Sequence, residues 1–431
     1  MTNVEIRDLP RHVGESVTVF GWVRQHRSSG KIAFLVVRDG TGDVQVVCAH
    51  GELDDTAWEA VGAVGYEASV RIAGTVKEDA RSPGGVEIGA TDLEIIGPSA
   101  DYPIQPKEHG IDFLLNQRHL WLRHENQRAI LRIRDEIVFG IREFFHERDF
   151  VLVDTPILTG SIGESAGTLF ETEYFDLGKA YLAQTGQLYL EPAAAALGRV
   201  YCFGPTFRAE KSKTRRHLTE FWMVEPEVAW LDSEGNMALQ EEFVAAIVAR
   251  VLDRRRAELG VLERDVSKLE AIAPPFDRMS YTEAVDCLRE RGSGIEWGSD
   301  LGAEDETTLT EGREKPLFVY DYPTEAKAFY MKENPEDPRT VKCNDLLAPE
   351  GYGEIIGGSQ REDDYDRLLQ RIREEGLPEE AYDWYLDIRR YGTFPHSGFG
   401  LGLERTVSWI CGLDHLREAI PYPRMMTRLT P

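Results

Sequence analysis

Arg208, Glu210, Glu225 and Glu227 are residues whose types and spacing promise chemistry. They flank a basic loop, Lys211 to His217, at the edges of two apolar runs, Val200 to Phe203 and Phe221 to Trp230. The pattern predicts a strand, a long loop and an antiparallel return strand. Side chains two apart on a strand share a face, so Arg208 and Glu210 point the same way, as do Glu225 and Glu227. One sheet face would then carry a polar pocket, with a rigid guanidinium fork to grip an anionic group. Read more plainly, the same residues form ion pairs on a surface hairpin. Asp345 and Glu354 fall on neighbouring strand patterns. Two oxygen ligands plus phosphates suit Mg2+, and a pair of structural acids is the other reading. Gly392 to Arg405 is glycine-bearing and runs into a helix, a pattern that lets backbone approach a nucleotide closely. A polar loop, Gly163 to Gly167, carries one carboxylate, Glu164. No Gly-x-Ser-x-Gly elbow or Walker-type phosphate loop supports a different chemistry.

The elements around these residues predict an α+β protein. Residues 1–100 hold short β patterns at Ser16 to Arg24, Ile32 to Arg38, Asp43 to Cys48 and Ser69 to Val76, and one helix-like stretch, Thr56 to Val64. Turn signals separate them. This suits a small Greek-key barrel of the OB type. Such barrels stack single-stranded bases on aromatics and line the backbone with Arg and Lys. Arg27, Phe34 and Gln45 are the candidates for charge, stacking and base-edge bonding. Phe34 taken by itself also reads as a core residue. Residues 101–124 open on a proline-punctuated linker, and 125–431 form the larger domain. In it Ile130, Ile133, Ile137, Ile141 and Phe144 recur at helical spacing, a face broad enough for a partner helix or a core. A strand follows and ends at Pro156. Residues 260–315 are polar, acidic and glycine-bearing, and read as an insertion without clear chemistry.

Length and composition bound the answer. At 431 residues the chain has room for two or more cores. No apolar run approaches the roughly 18 residues of a membrane span. The five cysteines are scattered and form no Cys-x-x-Cys pair, which fits reduced thiols in a cytoplasmic protein. The net charge of −26 argues against a general affinity for nucleic acid. A nucleic-acid partner would be met by local basic patches, and the remaining surface would repel it. A salty cytoplasm is another account of the acidity.

Phe207-Arg-Ala-Glu210, Arg216-His-Leu218 and Glu220-Phe221 resemble motif 2 of the class II aminoacyl-tRNA synthetases. The wording from Arg216 to Glu227 is similar to the asparaginyl branch of the aspartyl, asparaginyl and lysyl subgroup. Gly392 to Trp409 resembles motif 3, and the helix and strand ending at Pro156 resemble motif 1. Further resemblances extend over nearly the whole chain. They imply an OB barrel for binding the anticodon and a catalytic domain built on an antiparallel sheet flanked by helices. Motif 1 implies a homodimer. The implied reaction is ATP-dependent activation of L-asparagine and its transfer to the 3′-terminal adenosine of tRNA(Asn), without a membrane. Arg208 would hold the substrate carboxylate and the α-phosphate. Glu210 would accept from the adenine amino group, Arg216 and His217 would meet the outer phosphates, and Phe221 would stack on adenine. Leu218 and Gly402 would line the ATP site, and Arg405 would bind the γ-phosphate. Asp345 and Glu354 would hold Mg2+ with ATP. Glu164 would face the substrate ammonium, with Gln187 in the same amino-acid site, and Arg361 would read the side-chain oxygen. In the barrel, Arg27, Phe34 and Gln45 would meet the central anticodon base.

One contrast implies the amino acid. The aspartyl enzymes carry Gln-Ser-Pro-Gln-Leu-x-Lys, with the lysine pairing the substrate carboxylate. This chain reads Gln184-Thr-Gly-Gln187-Leu-Tyr-Leu190. A buried carboxylate without its partner costs about 3–5 kcal/mol, so the pocket should prefer a neutral amide. Glu225 stands where those enzymes have a shorter Asp, and would accept from an amide NH2 while repelling aspartate. Phe318 to Met331 also resembles the asparaginyl branch. Three other readings are a relaxed aspartyl enzyme, a tRNA-independent asparagine-forming paralogue and a non-catalytic nucleic-acid-binding protein. Leu190, the intact barrel, and Arg208, Glu354 and Arg405 together argue against them in turn.

Overall fold

The computed structural model describes residues 2–160, 163, 168–211 and 217–431. Glu164 and Arg216 lie outside the described residues. Two compact units divide the chain, Met1–Leu114 and Leu115–Pro431.

The first unit is a barrel of β1 (Ser16–Ser29), β2 (Ile32–Arg38), β3 (Asp43–Ala49), β4 (Ser69–Glu78) and β5 (Val86–Gly97). Helix α1 (Asp55–Ala63) interrupts it, capped by Asp54. The strand order is β1-β2-β3-β5-β4, and β4 pairs back to β1 to close it. Alternation builds the core: Val17, Val19, Ala33, Leu35, Val37, Val44 and Val46 point in. The neighbours of Phe34 on its own strand are therefore core residues, and Phe34 itself faces outward.

The second unit begins with α2 (Glu125–His146) and β6 (Val151–Leu152). Then come α3 (Gln187–Leu197), β7 (Arg199–Phe207), β8 (Glu220–Ala229) and α4 (Ser233–Arg254). Next are β9 (Asp277–Ser280), α5 (Tyr281–Glu290), α6 (Ala303–Thr310) and β10 (Leu317–Tyr320). It ends with β11 (Cys343–Ala348), β12 (Gly353–Gln360), α7 (Tyr365–Glu374), α8 (Asp383–Arg390), β13 (His396–Gly402) and α9 (Leu403–Cys411). Eight strands form one sheet in the order β9-β10-β11-β12-β13-β8-β7-β6. It is antiparallel except at its two edges, β9–β10 and β7–β6. The expected strand, loop and return strand are β7 and β8, paired from Arg199↔Val228 to Phe207↔Glu220.

The structure decides between the two readings of α2 and corrects the reading of residues 260–315. The apolar stripe of α2 is not left for a partner: Ile130, Ile133, Ile137, Ile141 and Phe144 are buried in this chain's own core with Phe243, Val244 and Ile247 of α4. Exposed apolar residues lie instead around Pro156, at Val151, Leu152, Ile157 and Leu158. Residues 260–315 are also more than an insertion. They supply β9 to the sheet edge, in register with β10, and α5 and α6, which pack Tyr281, Val285, Leu288 and Leu309 into a separate hydrophobic cluster. A four-residue strand and short helices in polar sequence leave too little periodicity to read.

Candidate active site

Two adjoining cavities open on one face of the large sheet, and they share Arg208, Met223, Glu354 and Gly400 as a common wall. The first, about 170 Å³, is lined by Arg208, Glu210, His217, Leu218, Phe221, Glu354, Gly402 and Arg405. The described residues expected at an ATP site therefore converge. Glu210 and His217 pair at 3.2 Å, and this contact with His217 holds the Glu210 carboxyl below its usual range. The Arg208 guanidinium lies 5.5 Å from the centre of the Phe221 ring. Leu218 is buried against Leu416 and Ile420, and Thr219 N–H donates to the Arg424 carbonyl at 2.9 Å. The C-terminal tail thus folds back beside the cavity. Arg405 donates through Nη1 to the Glu354 carbonyl at 2.8 Å and to its carboxylate at 3.0 Å. Burial pushes the Glu354 carboxyl up, but Arg405, Lys327 and Arg208 outweigh it and hold the group below its usual range. Glu404, next to Arg405, turns inward. It accepts from Trp222 N–H at 2.9 Å and pairs with Arg134 at 2.8 Å, which ties β8, α2 and α9 together.

The second cavity, about 270 Å³, is lined by Gln187, Glu225, Glu227, Arg361, Asp345 and Lys327, among others. Arg361 is buried and donates through Nε and Nη2 to Glu227 at 3.0 and 2.8 Å, and through Nη1 to Ser359 Oγ at 2.7 Å. Burial pulls its pKa down, but Glu227 more than offsets this and keeps the cation firmly charged. Of the motif-3 glycines, Gly398 serves this pair: a Cβ there would stand 2.1 Å from Glu227 Oε2 and 2.8 Å from Arg361 Nη2. Gln187, 4% exposed, donates its amide N–H to Glu191, and its Oε1 has no hydrogen-bond partner among the described residues. Glu191 is fully buried and also accepts from Tyr385 OH at 2.6 Å, Arg389 at 2.7 Å and His396 at 2.9 Å.

Asp345 on β11 and Glu354 on β12 approach each other over Gly357. A Cβ at that glycine would lie 3.6 Å from Asp345 Oδ1 and 3.0 Å from Glu354 Oε1. Hard oxygen donors on adjacent strands fit a magnesium ion. Among the described residues no three His, Cys, Asp or Glu side chains form a complete metal site. An ion here would draw its remaining ligands from phosphates and water. Burial lifts the Asp345 carboxyl to about 6, with the Lys327 ammonium opposing at 2.7 Å.

Several lining residues were not legible from spacing. Lys327 sits in a segment noted only for its resemblance, and Asp300, 3.6 Å from Lys327, comes from the span read as an insertion. Leu190 departs from the expectation in another way. It is fully buried with Ala194, Val200 and Cys202, and does not line the cavity. Gln187 and Leu190 stand three apart on α3 and so lie on neighbouring parts of one face, with Gln187 at the cavity and Leu190 in the core beside it.

In the barrel, Arg27 on β1 stands opposite Phe34 on β2, and Val36, two residues on from Phe34, stands opposite Gln45 on β3. All three candidates thus share the outer face. Arg27 is exposed, Phe34 and Gln45 are half-buried, and Gln45 donates to Glu87 at 3.1 Å. Phe20 and Trp22 on β1 are also exposed.

Residues 110–426 match the family described as tRNA synthetases class II (D, K and N), and residues 17–96 match the OB-fold nucleic acid binding domain. An asparagine–tRNA ligase of Desulforamulus reducens is 58% identical over 431 residues, covering 100% of both chains. Another from Chloroflexus aurantiacus is 54% identical, covering 99% of this chain and 98% of its own. The crystal structure of asparaginyl-tRNA synthetase from Pyrococcus horikoshii complexed with asparaginyl-adenylate superposes with a TM-score of 0.97 at 47% identity, covering 99% of each chain.

Proposed function

The chain belongs to the class II tRNA synthetases of the aspartate, lysine and asparagine group and acts as an asparagine–tRNA ligase, and from that premise we propose how its residues divide the work. The enzyme uses ATP and binds asparagine and tRNA. ATP occupies the cavity of about 170 Å³ and asparagine the one of about 270 Å³. The observation that carries this reading is their shared wall at Arg208 and Glu354. A group placed there can touch the α-phosphate and the amino-acid carboxylate together.

In the first step a carboxylate oxygen of asparagine attacks the α-phosphorus in line, and pyrophosphate leaves. Arg208 holds both reactants and stabilises charge as it shifts, and Arg405 takes the outer phosphates with His217 and, by resemblance, Arg216. Phe221 stacks on adenine, and Glu210, Leu218 and Gly402 complete that cavity. Asp345 and Glu354 would hold Mg2+, which when bound neutralises phosphate charge. Gln187 Oε1 accepts from the substrate ammonium, together with Glu164. Arg361 donates to the side-chain carbonyl and Glu225 accepts from its NH2. In the second step the terminal ribose hydroxyl of tRNA(Asn) attacks the activated carbonyl, and AMP leaves. No side-chain nucleophile is needed.

Residues 1–100 serve as the anticodon-binding domain, with Arg27, Phe34 and Gln45 at the bases, residues 101–124 as linker and 125–431 as the catalytic domain. The exposed apolar patch around Pro156 supports a homodimer. Among the described residues no helix is long and apolar enough to cross a membrane. We place the enzyme in the cytoplasm. ATP–pyrophosphate exchange without tRNA, run with asparagine and aspartate in parallel, tests the reading. Exchange with asparagine alone is expected. Comparable exchange with aspartate would overturn the assigned specificity.

A further inference from the structure

The carboxylate of Glu225 is clamped. Thr185 Oγ1 donates to its Oε1, and the Gly186 backbone N–H donates to its Oε2 at 2.8 Å. Cys202 Sγ adds a weaker contact to Oε2 at 3.4 Å. Thr185 Oγ1 in turn accepts the backbone N–H of Gln187 at 3.1 Å. A hydroxyl has a single proton. With an N–H already aimed at its oxygen, Thr185 is set as a donor, and its proton goes to Glu225. Donors then reach both carboxylate oxygens, which favours the ionised form. Gly186 is also the N-cap of α3, so the positive end of an 11-residue helix adds to the same preference.

Position 186 admits little else. A Cβ there would stand 2.6 Å from Cys202 Sγ and 2.6 Å from Thr155 Oγ1. A proline, the residue that the resemblance puts here in the aspartyl enzymes, would have no N–H to donate. Beyond the carboxylate lies another cavity of about 230 Å³, lined by Thr155, Thr185, Gly186, Cys202 and Glu225 among others. It gives an unclamped Glu225 side chain room to turn away from the substrate.

We propose that Thr185 and Gly186 are specificity-determining positioning residues: they fix Glu225 as an ionised acceptor beside the substrate side chain, and so set the preference for asparagine over aspartate. This rests on the reading of Glu225 as the group that meets the substrate amide, and the experiment separates the two. ATP–pyrophosphate exchange is measured with asparagine and with aspartate for the unaltered enzyme, Glu225→Gln, Thr185→Val and Thr185→Ser. Thr185→Val keeps the shape and removes the hydroxyl. Its kcat/KM for asparagine should fall about tenfold to a hundredfold, as expected for one hydrogen bond to a charged group. The asparagine-to-aspartate ratio should fall with it, while KM for ATP stays put, which also reports an intact fold. Thr185→Ser keeps the hydroxyl and should restore most of the ratio. If Glu225→Gln lowers the ratio and Thr185→Val does not, the clamp is overturned and the Glu225 reading stands. If neither lowers it, both are overturned.

Discussion

Arg208 lines two cavities at once, and on the proposed division of the site this single placement lets one arginine serve both reactants. Replacing it with alanine removes what is, among the described residues, the only side chain on the shared wall besides Glu354 that carries a formal charge. Arg208→Ala should abolish asparagine-dependent pyrophosphate exchange, while tRNA binding measured by filter retention stays near normal. Loss of both together would point to misfolding or to a site shared with tRNA. At this scale much was readable. The two-residue spacing of Glu225 and Glu227 put both in the same cavity, and Arg208, Glu210, Phe221, Glu354 and Arg405 converge as expected. Asp300 was not readable, because its part in the site comes from chain packing rather than from any local pattern. Leu190 shows the limit of reading a substitution by position alone. The residue takes the place of a charge partner, yet its side chain belongs to the core behind the cavity.

Elements place these residues, and buried polar networks lock the elements. Glu191 on α3 joins Tyr385 and Arg389 on α8 and His396 at the start of β13, while also holding the amide of Gln187. Removing one partner from such a buried cluster leaves charge uncompensated. Glu191→Ala should cost about 3–5 kcal/mol of stability in urea unfolding at neutral pH. Burial raises the Glu191 carboxyl, but Arg389, His396 and Arg361 dominate and hold it far below the carboxylate range. A depressed pKa gives stability that is full above the unfolded value of about 4.3 and is lost as pH falls below it. The gap between the unaltered protein and Glu191→Ala should therefore narrow in acid; a gap that widens there would contradict the assignment. The region around Pro156 carries a second prediction. Val151, Leu152, Ile157 and Leu158 are 38–46% exposed, an apolar patch on the surface of the described residues. Leu158→Asp should convert a dimer to a monomer in sedimentation velocity, and an unchanged sedimentation coefficient would move the interface elsewhere. The helix before this patch left the sequence reading open between two alternatives, because a broad apolar face looks the same whether it meets a partner or a core. The span 260–315 misled it for the opposite reason, since β9 has only four residues and no alternation.

At the scale of the whole molecule, the proposed function puts the chemistry and the anticodon recognition in the two separate compact units, and the charge differs from what a nucleic-acid partner requires. With a net charge of −26, the overall field repels tRNA, so binding rests on local basic patches and on contacts that do not depend on charge. Base stacking is such a contact, worth about 1–3 kcal/mol per base. The outer face of the barrel offers Phe34 for it, set opposite Arg27 and near Gln45, while Ala33 and Leu35 fill the core beneath. Phe34→Ala removes the ring without touching that core, so stability should hardly change. The expected result is a rise of about tenfold or more in KM for tRNA(Asn) in aminoacylation, with pyrophosphate exchange and KM for asparagine unaltered. Because stacking is not screened by ions, the loss should persist between low and moderate salt. No defect at either salt would mean that Arg27 or other charged groups, rather than the ring, hold the anticodon. A defect in pyrophosphate exchange would mean that the two units do not work independently in the first step.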